Sequence, residues 1–389
     1  MKRNGGYIAR EDKYQTSFKG IFDQHDQYLL VKSGKMDNVG ILFAFSSFTF
    51  ISPNEDPFAP SYSDITNQAT YQAQTWASDT NFFNVTDGIQ YFKIPQTATY
   101  RITCWGASGK NARIAANRGY GGIVRGDFSL SKDQWIGMMI GQRPPTSSAT
   151  NRAWQGGGGG TFVVTSTGSS SGSNVNATPL LVASGGGQAR ESAASSRANC
   201  DANMSPDGKA GSGRSGGTAG TESPGGGHNA TGGGGAAGWS GEGDAHGDTR
   251  NLYSPTGYPA GTASQRYLTS RGFNYNGTGP GRGGLFNTGY DTSYRGSGGF
   301  GAGGPGGWGG EGPGGGYSGG GNGNNSSTAY SGGGGSFISS SATNVGTSTG
   351  AWDAGSGYFS GHNGLGTSSG YTNLGYNTNA NGQVIIEKQ

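Results

Sequence analysis

The sequence predicts an all-β protein, an antiparallel β-sandwich that carries an inserted bundle of polyglycine II helices. Three observations support this fold class. Short β-branched or aromatic segments alternate with turn residues, 82 of the 389 residues are glycine, and strand-like segments return after the glycine-rich zone. Glycine makes up only about 7% of average proteins, and the abundance of aromatic residues argues against a disordered chain. The sequence therefore indicates an ordered protein with little α-helix.

Nine segments have the length and composition of β-strands and are bounded by Gly, Asn, Asp or Pro. They are Phe82–Val85, Tyr91–Ile94, Tyr100–Trp105, Ile123–Leu130, Trp135–Ile140, Thr161–Thr165, Leu180–Ala183, Ser336–Ile338 and Gln383–Glu387. Strands at this spacing suggest an antiparallel sandwich. Because two of them follow the glycine-rich zone, we interpret that zone as an insertion into one β-domain.

Changes in composition divide the chain into four zones. Residues 1–60 contain few glycines and end in a proline-rich stretch, which predicts an N-terminal segment and a linker. Residues 61–183 are predicted to form the first part of the sandwich. Residues 184–334 would form the bundle with tyrosine-rich insertions, and residues 335–389 would supply the closing strands.

The prediction of polyglycine II helices depends on a period of three. From Ala302 to Glu311 a residue other than glycine recurs at every third position. Three residues per turn is the polyproline II period, and such a helix has no internal hydrogen bonds. Two glycines of every three allow neighbouring backbones to approach and pair, which leaves Pro305, Trp308 and Glu311 on an open face. The alternative, a set of disordered linkers, is disfavoured because linkers rarely contain aromatic residues.

Charge and motifs argue against several classes of function. Lys and Arg number 26 against 23 Asp and Glu, without a basic run, so we expect no nucleic-acid partner. Two G-x-S-x-G matches, at Ser215 and Ser318, are expected by chance from the glycine and serine content. The alternating acidic and histidine residues from Glu242 to Asp248 resemble a calcium loop, but a solvated turn is the favoured interpretation. We expect no enzyme activity, no cofactor and no metal.

The N-terminal residues and the cysteines bear on where the chain is made. Polar and charged residues follow Lys2 and Arg3 where a secretion signal would be apolar. The longest apolar stretch is far shorter than the ~18 residues that a membrane span needs. Cys104 and Cys200 are too few for a disulfide framework, and Cys104 falls in a predicted strand, which indicates a core residue. We therefore expect synthesis in a reducing cytoplasm without a signal peptide.

Seven segments follow one another in an order that also occurs in a known family. They are Tyr100–Gly109, Phe128–Ser131, Ile140–Gln142, Gly156–Val163, Pro179–Gly187, Gly314–Gly321 and Gly332–Phe337. Their succession resembles the glycine-rich domain of the anaplastic lymphoma kinase and leukocyte tyrosine kinase ectodomains. The resemblance implies a TNF-like β-sandwich with an inserted polyglycine bundle. The near absence of cysteine argues against a secreted animal ectodomain.

A second resemblance lies near the N-terminus. Gly5–Ile8, Phe18–Asp23 and Asp26–Tyr28 are similar to a short N-terminal segment of tail fibres and other structural proteins in marine and environmental bacteriophages. Polyglycine bundles also occur in the fibre-tip adhesins of T-even-like phages, although no close sequence match to those is present. Together the two resemblances imply a phage virion protein whose partners include other virion proteins.

We therefore expect a bacteriophage tail fibre or adhesin that contacts a host-surface glycan or an outer-membrane receptor. The alternative is an architectural head fibre or capsid decoration protein without a receptor. A surface polysaccharide depolymerase is disfavoured because paired carboxylates are scarce in the glycine-rich zone. We expect a homo-oligomer, such as the trimers common among fibres, although no heptad repeat enforces one.

Virion docking is assigned to the N-terminal segment. A segment of about 50 residues with so few apolar residues cannot form its own core, so it should be buried against another virion protein. The alternative is a small strand pair packed on the chain's own sandwich. The predicted docking residues are Gly20, Ile21, Phe22 and Tyr28.

Receptor contact is assigned to the tyrosine-rich residues 250–295. Aromatic rings among Ser, Asn, Thr and Gly are typical of binding surfaces, because rigid rings supply contact area and small polar residues supply adaptable hydrogen bonds. The predicted contact residues are Tyr253, Tyr258, Tyr275, Tyr290 and Tyr294. The alternative is that these rings only cover the flanks of the bundle.

Overall fold

The computed structural model confirms that the part of the chain it describes is mainly β-structure with few helices. It describes residues 43–109, 118–145, 156–169, 177–190, 197–218, 234–243, 267–268, 270–274, 280–286, 296–306, 310–324, 328–345, 358–360 and 381–389. Residues 45–389 form one compact unit, and residues 1–44 fall in another. The architecture below is that of the larger unit.

The described strands are, in chain order, β1 (Ser47–Ile51), β2 (Phe83–Thr86), β3 (Ile89–Lys93), β4 (Ala98–Trp105), β5 (Gly122–Leu130), β6 (Trp135–Met139), β7 (Thr161–Ser166), β8 (Thr178–Ala183), β9 (Tyr267–Leu268), β10 (Leu285–Phe286), β11 (Phe337–Ile338), β12 (Tyr358–Ser360) and β13 (Gln383–Lys388). All nine predicted strands are confirmed, with ends that differ by at most two residues. The described helices are short: α1 (Tyr62–Thr66), α2 (Ala69–Gln72), α3 (Arg197–Cys200) and a 3₁₀ turn at Thr75–Ser78.

Two larger sheets contain most of these strands. The first has five strands in the order β1-β13-β4-β5-β12, and the second has six in the order β11-β8-β7-β6-β3-β2. Every pair of neighbours is antiparallel. β4 and β5 of the first sheet contact β7 or β8 of the second.

The β2–β3 hairpin shows how local sequence sets the register of the second sheet. Thr86 pairs with Ile89, so the turn consists of Asp87 and Gly88 alone. Both residues have positive φ angles, 52° and 74°. A two-residue turn with positive φ at both positions matches the twist of the flanking strands and favours Asp-Gly.

A cluster of aromatic side chains packs where β1, β2, β3 and the short helices meet. The rings of Phe48 and Trp76 lie 4.9 Å apart edge to face, and those of Phe50 and Phe92 lie 5.3 Å apart. The Tyr71 hydroxyl donates to Gln90 Oε1 at 2.6 Å, which satisfies two buried polar groups. The helices were not predicted, although Ser61 and Asp64 form the capping box that begins α1.

Residues 45–60, which include the predicted linker, belong to the same compact unit as the strands that follow, so the predicted boundary at residue 60 differs from the structure. β1 pairs with β13 along its whole length. Beyond it, the Asp56 carbonyl accepts the Phe300 N–H and the Pro57 carbonyl accepts the Gly283 N–H, both at 2.9 Å. The stretch around Pro57 is therefore bound to two glycine-rich segments, and Pro57 can take part because proline keeps its carbonyl as an acceptor while losing its N–H.

Candidate functional site

The glycine-rich segments are held together by backbone hydrogen bonds that point in three directions. Three consecutive donors in one run serve three different segments: Gly157 N–H to Gly304 O (3.0 Å), Gly158 N–H to Gly186 O (2.9 Å) and Gly159 N–H to Gln142 O (2.9 Å). The next run repeats the pattern: Gly185 N–H to Gly315 O (2.7 Å), Gly186 N–H to Ala107 O (3.0 Å) and Gly187 N–H to Cys200 O (2.7 Å). A β-strand, by contrast, directs its backbone groups to two sides only.

Glycine is required in these runs because the backbones touch. A Cβ atom at Gly159 would overlap the carbonyl oxygen of Phe300, and one at Gly185 would overlap that of Gly158. The strand residue Gly137 differs, since the nearest atom to a Cβ there is a methyl group of Val164 at 3.2 Å. We call the mutually bonded glycine-rich segments the glycine bundle. It includes residues 106–109 and 156–160, which precede the predicted insertion.

The predicted open face of the run at 302–311 is wrong for the two of its three residues that the structure describes. Pro305 is buried, and its ring occupies the space that a Cβ at Gly284 would need. Glu311 is also buried, at 1% relative exposure. Neighbouring segments cover this face too, so the bundle encloses the run on more sides than its period alone indicated. Trp308 lies outside the described residues.

Glu311 is a carboxyl group inside the glycine bundle. Burial raises its pKa to about 8, and the positive charge of Arg190 opposes this shift only in part. Arg190 Nε lies 3.8 Å from Glu311 Oε1, beyond hydrogen-bond distance. Neither carboxyl oxygen accepts a hydrogen bond from any described residue. The group is therefore mainly protonated and uncharged at neutral pH, since ionisation in this site would leave a poorly compensated charge.

A backbone ladder organises the tyrosine-rich part of the sequence. β9 and β10 pair through Leu268 with Leu285 and Tyr267 with Phe286. The same register continues where Arg271 N–H donates to Arg282 O at 2.8 Å and Gly281 N–H donates to Gly272 O at 3.0 Å. These pairs form one antiparallel ladder. Its closed end leads to residues 275–279, and its open end lies at Tyr267 and Phe286.

A third segment joins the ladder between its two ends. Gly243 N–H donates to Ser270 O at 3.0 Å, and Arg271 Nε lies 3.1 Å from Glu242 Oε1. Residues 244–266 and 287–295 therefore leave the described backbone at Gly243, Tyr267 and Phe286, which the ladder holds together. Glu242, considered above as part of a calcium loop, is paired with an arginine instead.

The predicted contact residues all lie outside the described residues, and both assignments remain predictions. They are Gly20, Ile21, Phe22 and Tyr28 for docking, and Tyr253, Tyr258, Tyr275, Tyr290 and Tyr294 for the receptor. The ladder nevertheless divides the tyrosines by their points of attachment. Four belong to the segments that leave at its open end, and Tyr275 belongs to the segment at its closed end.

Sequence reasoning missed a group of aromatic residues at the edge of the glycine bundle. Trp239, Tyr317 and Phe337 are each partly exposed and pack against the core of the second sheet. We call these three residues the aromatic platform. The signal that could have identified them is position, because each is the first aromatic residue after a run containing glycine: Gly238, Gly314–Gly316 and Gly332–Gly335.

A comparison with known families, a search for metal ligands and a search for membrane-spanning helices narrow the features that could carry a function. No known family model matches the sequence. Within the described ranges, no three His, Cys, Asp or Glu residues cluster as metal ligands would. In that same part of the chain, no helix has the length and apolar character needed to cross a membrane. The glycine bundle, the ladder and the platform are therefore the features from which a function can be argued.

Proposed function

We propose that this chain is a bacteriophage virion protein, a tail fibre or adhesin, built as a TNF-like β-sandwich with an inserted bundle of polyglycine II helices. The three-directional bonding of Gly157–Gly159 supports the polyglycine II assignment. A helix with three residues per turn directs successive N–H groups about 120° apart, toward three neighbours. Virion placement is supported by the resemblance of the N-terminal segment to phage structural proteins.

The observation that carries the adhesin role is the joining of the two tyrosine-rich segments at one end of the ladder. Binding residues are commonly placed on loops that a rigid scaffold positions. Tyr267 and Phe286 are paired, so the end of residues 244–266 and the start of residues 287–295 are attached to adjacent backbone positions. The glycine bundle supplies the rigidity, since its backbone groups bond in three directions rather than two.

The partner proposed for these tyrosine-rich segments is a glycan on the host surface, or an outer-membrane receptor. Tyrosine presents a flat apolar ring and a hydroxyl group in one side chain, which suits the alternating C–H and O–H surfaces of sugars. The N-terminal segment, through Ile21, Phe22 and Tyr28, would bind another virion protein. We propose a homo-oligomeric assembly, with a trimer as the form to test first.

Host adsorption of phage particles tests the receptor role directly. Replacing Tyr253, Tyr258, Tyr275 and Tyr290 together with serine should lower adsorption at least about tenfold, since aromatic contacts of this kind are worth about 1 kcal/mol or more each. The matched control replaces Tyr371 and Tyr376, which lie outside the predicted contact set, with serine. Normal adsorption by the assembled quadruple variant would contradict the receptor role.

The position of the protein on the particle separates the adhesin from the architectural alternative. Gold-labelled antibodies against residues 45–389 should mark the tail tip or the tail fibres in electron micrographs. Labelling confined to the capsid would instead support a head fibre or decoration protein.

Deleting residues 1–36 should abolish incorporation into particles, because this deletion removes the proposed docking residues.

A further inference from the structure

The rings of the aromatic platform belong to two stacked pairs. The Trp239 indole lies parallel to the Phe273 ring, with 5° between their planes and 5.1 Å between their centroids. The Tyr317 ring stacks on Phe337 at 4.5 Å and 19°. The indole and the Tyr317 ring lie 6.5 Å apart at an angle of 32°. Two stacked pairs thus stand side by side, each with a partly exposed member.

Backbone bonds and buried rings fix these side chains in place. Trp239 N–H donates to Tyr317 O at 2.9 Å, and Tyr317 N–H donates to Gly335 O at 2.7 Å. Beneath them lie the buried rings of Phe162 and Phe273, with the Phe162 centroid 6.2 Å from the indole. A binding partner would therefore meet rings that are already ordered, which lowers the entropy cost of binding.

The platform also offers polar groups. Among the described residues, neither the Trp239 indole N–H nor the Tyr317 hydroxyl forms a hydrogen bond, and neither is a buried unsatisfied atom. Both groups therefore keep some solvent-accessible surface. Aromatic rings that carry a polar group suit a partner with one apolar face and polar groups at its edge. A pyranose ring matches this surface, because its C–H face packs on an aromatic ring while its hydroxyls exchange hydrogen bonds at the ring's edge.

We propose that the aromatic platform is a carbohydrate-binding site in which Trp239 stacks on a pyranose ring and Tyr317 binds a sugar hydroxyl. The inference rests on the proposed function for the source of the sugar, a host-surface glycan, and adds a second contact region to the tyrosine-rich segments. Asn274 N–H donates to Trp239 O at 2.9 Å. This bond links the closed end of the ladder to the backbone of the platform.

Titration of the purified full-length protein with soluble oligosaccharides tests this site. The probes are maltohexaose, cellohexaose and a β-galacto-oligosaccharide, with binding followed by tryptophan fluorescence and by calorimetry. Trp239→Ala should weaken binding of the best probe at least about tenfold, as expected for a central tryptophan contact. Tyr317→Phe removes only the hydroxyl and should weaken binding by about threefold to tenfold, since a hydrogen bond contributes about 1 kcal/mol net.

The matched control is Trp135→Ala. Trp135 is also partly buried and packs against the same core, but its ring is covered by Lys93, whose Nζ lies 4.9 Å from the ring centroid. This variant should bind the probe as the parent does. Tyr317→Phe keeps the ring and its stacking, so it remains informative if Trp239→Ala unfolds.

Two outcomes would contradict the proposed carbohydrate site. One is no binding of any probe by the parent protein at millimolar concentration, and the other is equal affinity of the parent and both platform variants for the probe. These outcomes are distinguishable from failure of the proposed function, which is judged by host adsorption and location on the particle. If the parent phage adsorbs normally while the purified protein binds none of the three probes, the carbohydrate site at the platform is rejected and the adhesin role is retained.

Discussion

The two sheets and the glycine bundle are stabilised by different interactions: packed side chains in the sheets and backbone hydrogen bonds in the bundle. In the sheets, large side chains such as Phe50 and Phe92 fill the core, and backbone bonds run to two sides. In the bundle, the backbones of runs such as Gly157–Gly159 approach so closely that side chains are excluded, and bonds run in three directions. Ordered glycine loses more conformational entropy than any other residue. The bundle therefore depends on dense hydrogen bonding, whereas the sheets depend on apolar burial.

The largest loss of stability is expected when a single carbon atom, the Cβ of alanine, is added inside the glycine bundle. Gly159→Ala would force the Phe300 carbonyl away and disturb the bonds of Gly159 with Gln142 and Ala107. Overpacking costs about 1–3 kcal/mol, and each lost hydrogen bond costs about 1 kcal/mol more. The free energy of unfolding, measured in denaturant, should fall by about 3–5 kcal/mol.

The control for that substitution is Gly137→Ala in β6. The three atoms nearest to a Cβ at this position all belong to side chains, which can yield by a few tenths of an ångström. We expect a change below about 1 kcal/mol. Equal losses at Gly159 and Gly137 would remove the distinction between bundle and sheet.

The next largest effect on stability is expected from Glu311, the buried carboxyl group of the glycine bundle. Because the pKa of Glu311 is about 8 in the folded protein and 4.5 in its ordinary state, the folded chain keeps a proton that the unfolded chain releases between these values. Stability should therefore fall as pH rises from about 4.5 to about 8. Glu311→Gln keeps the shape without the titration, so it should be more stable than the parent at pH 8 by a few kcal/mol and similar at pH 4.

Thermal melting across this pH range measures the difference. Glu242→Gln serves as the comparison, since its carboxylate belongs to the same bundle but is partly exposed and paired with Arg271. The Glu242 variant should retain the decline in melting temperature between pH 5 and pH 8. Parallel pH profiles for the parent and Glu311→Gln would show that this carboxyl does not control the alkaline stability.

The smallest effect is the loss of one carbon from the core of a sheet. Ile102 in β4 is fully buried between neighbouring strands. Ile102→Val should cost about 0.5–1.5 kcal/mol, through lost burial and a small cavity. Removing a carbon from the sheet would then cost much less than adding one to the bundle. A loss at Ile102 as large as that at Gly159 would contradict this ranking.

The strands could be predicted because their pattern is local. Runs such as Tyr100–Trp105 combine β-branched and aromatic residues between turn residues, and all nine predicted runs are strands. The surroundings of Pro305 and Glu311 could not be predicted from a period of three, since the period says which residues share a face but not which segments cover it. The platform was missed for a similar reason: Trp239, Tyr317 and Phe337 are far apart in sequence and meet only through long-range backbone bonds.

The place of β13 in the first sheet has a consequence for how the molecule is made. This strand, at Gln383–Lys388, lies between β1 and β4, both of which precede it by most of the chain. On the ribosome, β1 and β4 therefore emerge without the neighbour that joins them, and both wait until residues 106–382 have been synthesised. Sheets closed by such distant pairings fold slowly, and their unpaired edges are prone to aggregation in the meantime. Chaperone demand during synthesis should be concentrated in this interval.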